Sequence, residues 1–167
     1  MSHVEHRAQA RPGVGCFVLT ISDTRTPETD ASGRAIVELL ESMGHLVLGR
    51  AILRDEPDEV RALVEAQLAD PAVQAIITTG GTGLSTRDRT YEALASLLDK
   101  RLDGFGELFR MLSFQEIGPA AMLSRAFAGL ARHRILVALP GSEAAVRLAI
   151  TQLVGPELAH MVREASR

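Results

Sequence analysis

A glycine-rich segment, Thr78 to Gly83, follows directly on the apolar run Val73 to Ile77. The apolar run predicts a buried strand, and the sequence Thr-Thr-Gly-Gly-Thr-Gly predicts a turn with few side chains at its end. Glycine lets the backbone approach a ligand closely, and successive N–H groups in such a turn bind anions. The segment therefore predicts a phosphate-binding turn, with a tight connection that binds nothing as the alternative.

The residues after the turn exclude two familiar phosphate-binding motifs. A P-loop carries a Lys followed by Ser or Thr directly after its last glycine, whereas Gly83 is followed by Leu84. A dinucleotide fingerprint needs a third glycine, which the residues from Gly81 to Thr86 do not provide. A dinucleotide-dependent oxidoreductase is therefore disfavoured.

Polar residues also follow the other predicted strands. The carboxyl ends of parallel strands lie at one edge of a sheet, so we expect these residues and the glycine turn to share one crevice. For Asp55 and Ser142 the alternative is that each only caps the helix that follows it. The strands and the residues after them are Gly15 to Ser22 with Asp23, His45 to Leu53 with Asp55, and Ile135 to Leu139 with Pro140-Gly141-Ser142.

Helical patterns alternate with these strands. The alternation predicts an α/β fold, a three-layer α/β/α sandwich with a mainly parallel central sheet, because parallel neighbours need crossover helices. The predicted helices are Ala35 to Met43 with Ser32 as N-cap and Gly44 as stop, Pro57 to Ala69, Thr90 to Leu98 capped by Asp88, Glu107 to Ile117 after a glycine-rich link Asp103 to Gly106, Ala120 to Leu130, a helix beginning at Ser142, and Pro156 to Ala165.

Composition predicts one globular domain, residues 14–167, after a disordered lead-in of residues 1–13. The chain has 167 residues, of which 46% are hydrophobic and 23% charged, and its net charge of −3 argues against nonspecific nucleic-acid binding. No apolar run is long enough to cross a membrane. The single cysteine, Cys16, lies in an apolar run and is predicted to be a buried structural thiol, which suits a cytoplasmic protein. The histidines are scattered and predict no metal site.

Four motifs in order resemble one known family. The segment Thr78 to Gly83, then Asp88 with Thr90, then Gly104-Phe105-Gly106-Glu107, then Pro140-Gly141-Ser142 is similar to the molybdopterin-binding family of molybdenum cofactor biosynthesis, nearest to its MoaB and MogA members. The likeness runs from about Val14 to about Leu158, and residues 104–118 are especially MoaB-like. The resemblance implies a three-layer α/β/α domain that forms a homotrimer or hexamer and binds molybdopterin. In the MogA branch it implies a molybdopterin adenylyltransferase that uses ATP and a divalent metal, normally Mg²⁺.

The resemblance also implies roles for particular residues. Asp55 and Asp88 correspond to acidic positions associated with catalysis, and Mg²⁺ is commonly held by one or two carboxylates together with substrate phosphates. Glu107 matches a carboxylate at the pterin end of the family's site, and Arg87 and Arg89 either pair with phosphates or form surface ion pairs. The residues implied to bind substrate are Ser22, Asp23, Thr79, Gly80, Gly81, Thr82, Gly83, Glu107, Pro140, Gly141 and Ser142.

Two functions remain open from the sequence. The first is an enzyme that adenylylates molybdopterin, which the presence of both Asp55 and Asp88 favours. The second is a protein that binds or carries molybdopterin without doing chemistry. The apolar stretch Phe105 to Ile117 is predicted to be mostly core and partly a contact with a neighbouring subunit.

Overall fold

The computed structural model describes residues 13–167, so the predicted lead-in lies almost entirely outside the described residues. The strands are β1 (Gly15–Ile21), β2 (Leu46–Leu53), β3 (Ala75–Thr79), β4 (Lys100–Arg101), β5 (Phe127–Ala131) and β6 (Arg134–Leu139). The α-helices are α1 (Ala31–Ser42), α2 (Pro57–Ala69), α3 (Thr90–Ala95), α4 (Asp103–Ile117), α5 (Glu143–Ala149) and α6 (Gly155–Ala165). A 3-10 helix, Gly118–Leu123, follows α4, and a π-helical segment, Ile150–Val154, joins α5 to α6.

The strands form one sheet in the order β2-β1-β3-β6-β5-β4. The first four strands in this order are parallel, whereas β5 is antiparallel to β6 and β4 is antiparallel to β5. Thr79 at the end of β3 pairs with Thr20 of β1 and with Leu139 of β6, so these strands end side by side. The predicted mainly parallel sheet is confirmed. The carboxyl ends of β1, β3 and β6 lie next to one another at one edge of it.

Helices cover both faces of the sheet. In β1, Cys16 and Val18 pack with α1, α4, α5 and α6, whereas Phe17 and Leu19 pack with α2 and α3. This alternation is the period of two that a strand buried on both faces requires. The three-layer α/β/α sandwich is therefore confirmed. None of the helices in residues 13–167 combines the length and apolar content that crossing a membrane requires.

Cys16 has the structural role that was predicted. Its side chain is fully buried, and its Sγ donates to the carbonyl oxygen of Val14 at 3.4 Å. Burial raises the pKa of the thiol to about 12, so the reactive thiolate is suppressed.

The predicted helix Ala120 to Leu130 is wrong. The 3-10 helix ends at Leu123, and β5 then forms a hairpin with β6 through Arg132 and His133. These two residues have φ values of 48° and 62°, as in the two-residue turns that suit a twisted hairpin. Such turns usually contain Asn or Gly, and the sequence Arg-His gave no sign of one.

The predicted glycine-rich link Asp103 to Gly106 is also wrong, because α4 begins at Asp103 and includes both glycines. Gly106 is buried, and a Cβ there would lie 2.5 Å from Nη2 of Arg110. Arg110 donates from Nη1 to the carbonyl oxygens of Ser124 and Ala126, which connects α4 to the start of β5. The glycine thus makes room for a guanidinium group instead of breaking the helix.

Candidate functional site

The glycine turn at the end of β3 needs glycine for two different reasons. Gly80 has a φ of +98°, and a Cβ there would collide with the carbonyl oxygen of Ile21 at the end of β1. Gly81 has a φ of +72°, and a Cβ there would lie 3.0 Å from Cβ of Thr90. Left-handed backbone is costly for other residues, so both positions favour glycine through conformation and through space.

The polar motifs after the strands meet at this turn, as predicted. A Cβ at Gly141 would be 3.5 Å from Cα of Gly80, and the Thr79 hydroxyl donates to the carbonyl oxygen of Pro140 at 2.8 Å. On the other side, the amide N of Ser22 donates to the carbonyl oxygen of Leu53 at 2.8 Å. The ends of β1, β2, β3 and β6 therefore enclose one crevice.

A small polar cavity of about 80 Å³ lies in this crevice, between the ends of β1 and β3. β1 pairs with β2 on one side and with β3 on the other, so the cavity lies at the point where the winding of the sheet reverses. Open α/β sheets bind ligands at this position. The residues that line the cavity are Thr20, Ile21, Ser22, Arg25, Asp30, Ser32, Thr79 and Gly141.

Asp30, not Ser32, caps α1. Its Oδ1 accepts from the amide N of Gly33 at 2.9 Å, and its Oδ2 accepts from the Thr20 hydroxyl at 2.7 Å and from Arg50 at 2.6 Å. Burial acts to raise the pKa of this carboxyl, but these hydrogen bonds outweigh it and the pKa is lowered. Ser32 instead donates to the carbonyl oxygen of Gly141 at 2.9 Å, which links α1 to the loop after β6.

Asp55 does not cap α2, which begins after Glu56 without any side-chain cap. The Asp55 side chain is 5% exposed, and its Oδ1 accepts a short hydrogen bond from the hydroxyl of Thr90. Its Oδ2 is 3.4 Å from the position that a Cβ at Gly81 would take, and none of the described residues donates a hydrogen bond to it. One carboxylate oxygen is therefore fixed and the other lies against the glycine turn.

Asp88 does not cap α3, whose N-cap is Arg89 with no side-chain hydrogen bond. Its Oδ2 accepts from the amide N of Ser85 at 3.1 Å and lies 2.6 Å from the position of a Cβ at Gly83. Asp88 thus closes the loop that follows the turn. The two aspartates flank the turn at Gly81 and at Gly83.

Ion pairs tie the loops together at the outer rim of the crevice. Arg87 donates to both carboxylate oxygens of Asp23, at 2.8 and 3.0 Å, and to Glu56 at 2.7 Å, while Arg89 lies 3.7 Å from Glu56. The hydrogen bonds from Arg87 and from the Asp55 amide lower the pKa of Asp23 to about 2. Arg87 and Arg89 thus form the surface ion pairs that one interpretation predicted, and their pairing with phosphates stays a prediction.

Arg125 is the residue that sequence reasoning missed. Its guanidinium donates to three carbonyl oxygens of the turn and its loop: Thr82 at 3.2 Å, Gly83 at 2.6 Å and Asp88 at 3.1 Å. It also pairs with Glu92, lowering the pKa of that carboxyl, and stacks 4.3 Å from the ring centroid of Tyr91. The Arg125 side chain thus fixes the glycine turn through hydrogen bonds to its carbonyl oxygens.

Two predicted residues lie apart from this network. Ser142 is the N-cap of α5, where its hydroxyl oxygen accepts from the amide N of Ala145 at 3.1 Å, so the capping interpretation is confirmed. Glu107 is exposed on α4, and no hydrogen bond joins it to the turn among the described residues. Its role toward the pterin stays a prediction.

The donor set at the turn suits Mg²⁺ better than a transition metal. Within residues 13–167, no group of three or more His, Cys, Asp or Glu side chains converges on a metal position. Mg²⁺ keeps waters and takes few protein ligands, usually carboxylates beside substrate phosphates. Asp55, with Oδ2 facing the glycine turn, fits such a ligand, and Asp88 lies on the other flank.

These features define a doubly wound α/β domain with a polar crevice at the switch point of its sheet. Comparison with known proteins shows which family within this fold class the chain resembles. A family model described as a probable molybdopterin binding domain matches residues 17–160. Molybdenum cofactor biosynthesis protein B of Halalkalibacterium halodurans is 48% identical over 165 residues, covering 98% of this chain and 97% of that protein.

Solved structures that are similar to this chain point to the same family. A crystal structure of a molybdenum cofactor biosynthesis protein B has a TM-score of 0.91 and 47% identity, covering 95% of this chain and 99% of its own. The tungsten cofactor synthesizing protein MoaB from Pyrococcus furiosus has a TM-score of 0.80 and 36% identity, covering 95% of this chain and 100% of its own. The chain therefore belongs to the molybdopterin-binding domain family of molybdenum cofactor biosynthesis, and the resemblance of its motifs to MoaB is confirmed.

Proposed function

We propose that this protein binds molybdopterin at the glycine turn and adenylylates its terminal phosphate with ATP. An oxygen of that phosphate attacks the α-phosphorus of ATP, the bond from the α-phosphorus to the bridging oxygen breaks, and pyrophosphate leaves with the electron pair. A phosphate monoester has a second pKa of about 6, so it is already largely dianionic near neutral pH. No strong general base is needed, and the task of the site is positioning and charge neutralisation.

One observation carries the proposal: the Asp55 carboxylate is buried beside the glycine turn without being a helix cap. A carboxylate facing an anion-binding turn repels the anion unless a cation lies between them. Phosphoryl-transfer sites use that arrangement, with a divalent ion bridging carboxylate and phosphates. A turn that only binds or carries a phosphate does not require the buried Asp55 carboxylate beside it.

Mg²⁺, when bound, supplies charge stabilisation on the phosphates, and Asp55 with Asp88 would hold it. Thr90 fixes Oδ1 of Asp55, so Oδ2 keeps a constant direction toward Gly81. Arg125 keeps the turn in place through its carbonyl groups, so the N–H groups stay available to a phosphate.

The alternative function is a molybdopterin-binding or carrier protein without chemistry. The observation that favours it is the hydrogen bond from the Ser85 amide to Asp88, since a carboxylate that holds a loop has a structural role of its own. Asp55 has no such bond at Oδ2 among the described residues, and for that reason we favour the enzyme.

Single-turnover adenylylation separates the two functions. Asp55→Asn and Asp88→Asn keep an oxygen that accepts from Thr90 or Ser85 but lose the negative charge. We expect adenylylated pterin to form more slowly by roughly 10²- to 10³-fold, with little change in molybdopterin affinity, because the charge matters most in the transition state. The measurement is the rate of adenylylated pterin formation from molybdopterin, ATP and Mg²⁺.

Glu56→Gln is the matched control, because it removes one negative charge from the neighbouring carboxylate, which pairs with Arg87 at the surface. We expect its rate to stay within a few-fold of the parent, since exposed ion pairs contribute little. A parent protein that binds molybdopterin tightly yet makes no adenylylated product would establish the carrier function instead.

Self-association is part of the proposal. Leu108, Met111, Phe114 and Ile117 lie at intervals of three residues along α4, and their exposed fractions range from 47% to 62%. Met122 and Leu123 extend this apolar surface, with exposures of 77% and 52%. A surface of this kind is typical of a subunit contact, which supports the expected homotrimer or hexamer.

A further inference from the structure

A larger groove of about 640 Å³ adjoins the small cavity on its β2 side. The two share Ser22 and Arg25 in their walls, so they lie side by side in the crevice. The groove runs between the loop after β1 and the carboxyl half of β2. Its lining residues are Ser22, Asp23, Thr24, Arg25, Thr26, Pro27, Arg50, Ala51, Ile52, Leu53 and Arg54.

Three of the lining side chains are arginines, but only one is neutralised by an ion pair among the described residues. Arg50 pairs with Asp30 at 2.6 Å. Arg25 donates from Nη1 to the carbonyl oxygen of Thr29 at 3.2 Å and, in the described part of the chain, meets no carboxylate. Arg54 likewise forms no ion pair within residues 13–167, although its charge contributes to the low pKa of Asp23.

Asp23 is the one carboxylate in the lining, and Arg87 already holds both of its oxygens. Arg25 and Arg54 are therefore two guanidinium groups without an ion pair among residues 13–167 in this groove, on a chain whose net charge is −3. Guanidinium groups bind phosphate oxygens through paired N–H donors, so the groove suits a phosphate chain.

We propose that this arginine groove binds the β- and γ-phosphates of the nucleotide and holds the pyrophosphate after transfer. The inference rests on the proposed function for its choice of ligand. The order of the strands supports this choice: the glycine turn lies above β3, the small cavity lies between β1 and β3, and the groove lies above β2. A triphosphate extending from the turn across β1 reaches Arg25 first and Arg54 beyond it.

Phosphate in this groove has two possible sources, the nucleotide and the terminal phosphate of molybdopterin, and the experiment distinguishes them. Calorimetry measures the affinities of the parent, Arg25→Gln, Arg54→Gln and the double variant for ATP, AMP, pyrophosphate and molybdopterin with Mg²⁺. We expect about fivefold weaker binding of ATP and pyrophosphate in each single variant and roughly 25-fold in the double variant. AMP and molybdopterin affinities stay at the parent values, because neither ligand has the β- and γ-phosphates.

Arg132→Gln is the matched control, since it removes the same charge at the β5–β6 turn, where Arg132 pairs with Glu65. Circular dichroism confirms that each variant is folded. The assignment is overturned if the variants bind ATP and pyrophosphate like the parent, if AMP binding weakens as much as ATP binding, if only molybdopterin binding weakens, or if the parent binds neither ATP nor pyrophosphate. A parent that binds pyrophosphate through these arginines but makes no adenylylated pterin would contradict the proposed function and leave the anion site standing.

Discussion

At the scale of single residues, the glycine turn depends on positions where a side chain would crowd the groups around it. Gly81 is such a position, because a Cβ there would point between Thr90 and Asp55, at 3.0 Å from Cβ of the first and 3.4 Å from Oδ2 of the second. Gly44, with a φ of +85°, has the same kind of backbone, but a Cβ there would meet nothing within 4 Å. Alanine substitutions at Gly81 and Gly44 therefore separate the effect of backbone strain from the effect of a methyl group at the turn.

We expect Gly44→Ala to lower the free energy of unfolding by about 1–2 kcal/mol, because it forces alanine into left-handed backbone. Gly81→Ala should lower it further, because its Cβ would also lie 3.0 Å from Cβ of Thr90. Only Gly81→Ala should weaken molybdopterin binding, since only it adds a methyl group beside Asp55 at the turn. Urea unfolding and calorimetry measure the two effects. Unchanged molybdopterin affinity in Gly81→Ala would show that the turn is a connection and that the ligand lies elsewhere.

At the scale of elements, Arg125 connects the segment before β5 to the turn after β3. Its three carbonyl contacts and its pair with Glu92 join parts of the chain that are about 40 residues apart in sequence. Hydrogen bonds from a charged donor contribute about 1.5–3 kcal/mol, more than neutral ones. The turn is therefore ordered by a distant side chain.

Arg125→Lys keeps the charge but cannot form the planar fork that reaches several carbonyl oxygens at once. We expect the amide of Tyr91, which donates to the carbonyl oxygen of Gly81 at 3.2 Å, to exchange with solvent roughly tenfold faster or more as the turn loosens. Hydrogen exchange measures this, with Arg147→Lys on α5 as a control. Equal protection of Tyr91 in parent and Arg125→Lys would contradict the ordering role.

His45, which lies between α1 and β2, is expected to make the stability of the fold depend on pH. His45 is 6% exposed and its Nδ1 accepts from the amide N of Val14 at 3.3 Å. Burial lowers the pKa of His45, and a hydrogen bond involving the Gly155 backbone opposes this only in part. Protonation is thus more favourable in the unfolded chain than in the folded one.

The stabilisation from neutral His45 is complete above the unfolded pKa of about 6.5 and is lost as the pH falls below it, toward the lower folded pKa. We expect the free energy of unfolding to decrease there by at most about 1.4 kcal/mol per pH unit. Urea unfolding across about pH 5 to 7 measures the slope, and His45→Gln should reduce it. Identical slopes in parent and variant would exclude His45 as the source.

At the scale of the whole molecule, α4 has only part of the packing that was predicted for it. Of the apolar stretch Phe105 to Ile117, Phe109 is buried at 1% exposure, whereas Met111 and Phe114 are 51% and 58% exposed. The expectation that most of this stretch is core is therefore wrong. The exposed side chains form the apolar surface for which we propose a subunit contact.

We expect the parent protein to be a trimer or hexamer at micromolar concentration and the double variant Met111→Asp with Phe114→Asp to be a folded monomer. Two carboxylates in an apolar contact have no partners, and their desolvation opposes association by several kcal/mol. Light scattering after size-exclusion chromatography measures the mass. Leu46→Asp, on β2 and 58% exposed, is the control and should keep the parent mass. A monomeric parent would remove the subunit-contact interpretation of α4.

The sequence alone determined the layers of the fold and the crevice. The strand Gly15–Ile21 is apolar apart from Thr20 and buried throughout because both faces of the sheet are covered, and that pattern is local. Parallel strands place their carboxyl ends together, so the glycine turn, Ser22, Asp55 and Gly141 had to meet once the strands were recognised. These features follow from periodicity and chain direction.

Only the tertiary structure decided the partners of the charged side chains. Asp30 caps α1 while Asp55 and Asp88 turn toward Thr90 and Ser85, because each carboxylate takes the donor that packing brings nearest. Arg125 reaches the turn, and the residues Arg132 and His133 close a hairpin, without any sign in the neighbouring sequence. Hydrogen bonds between distant segments depend on distances that no local pattern encodes, so the sequence predicted which segments meet at the crevice and the fold determined which side chains hold them.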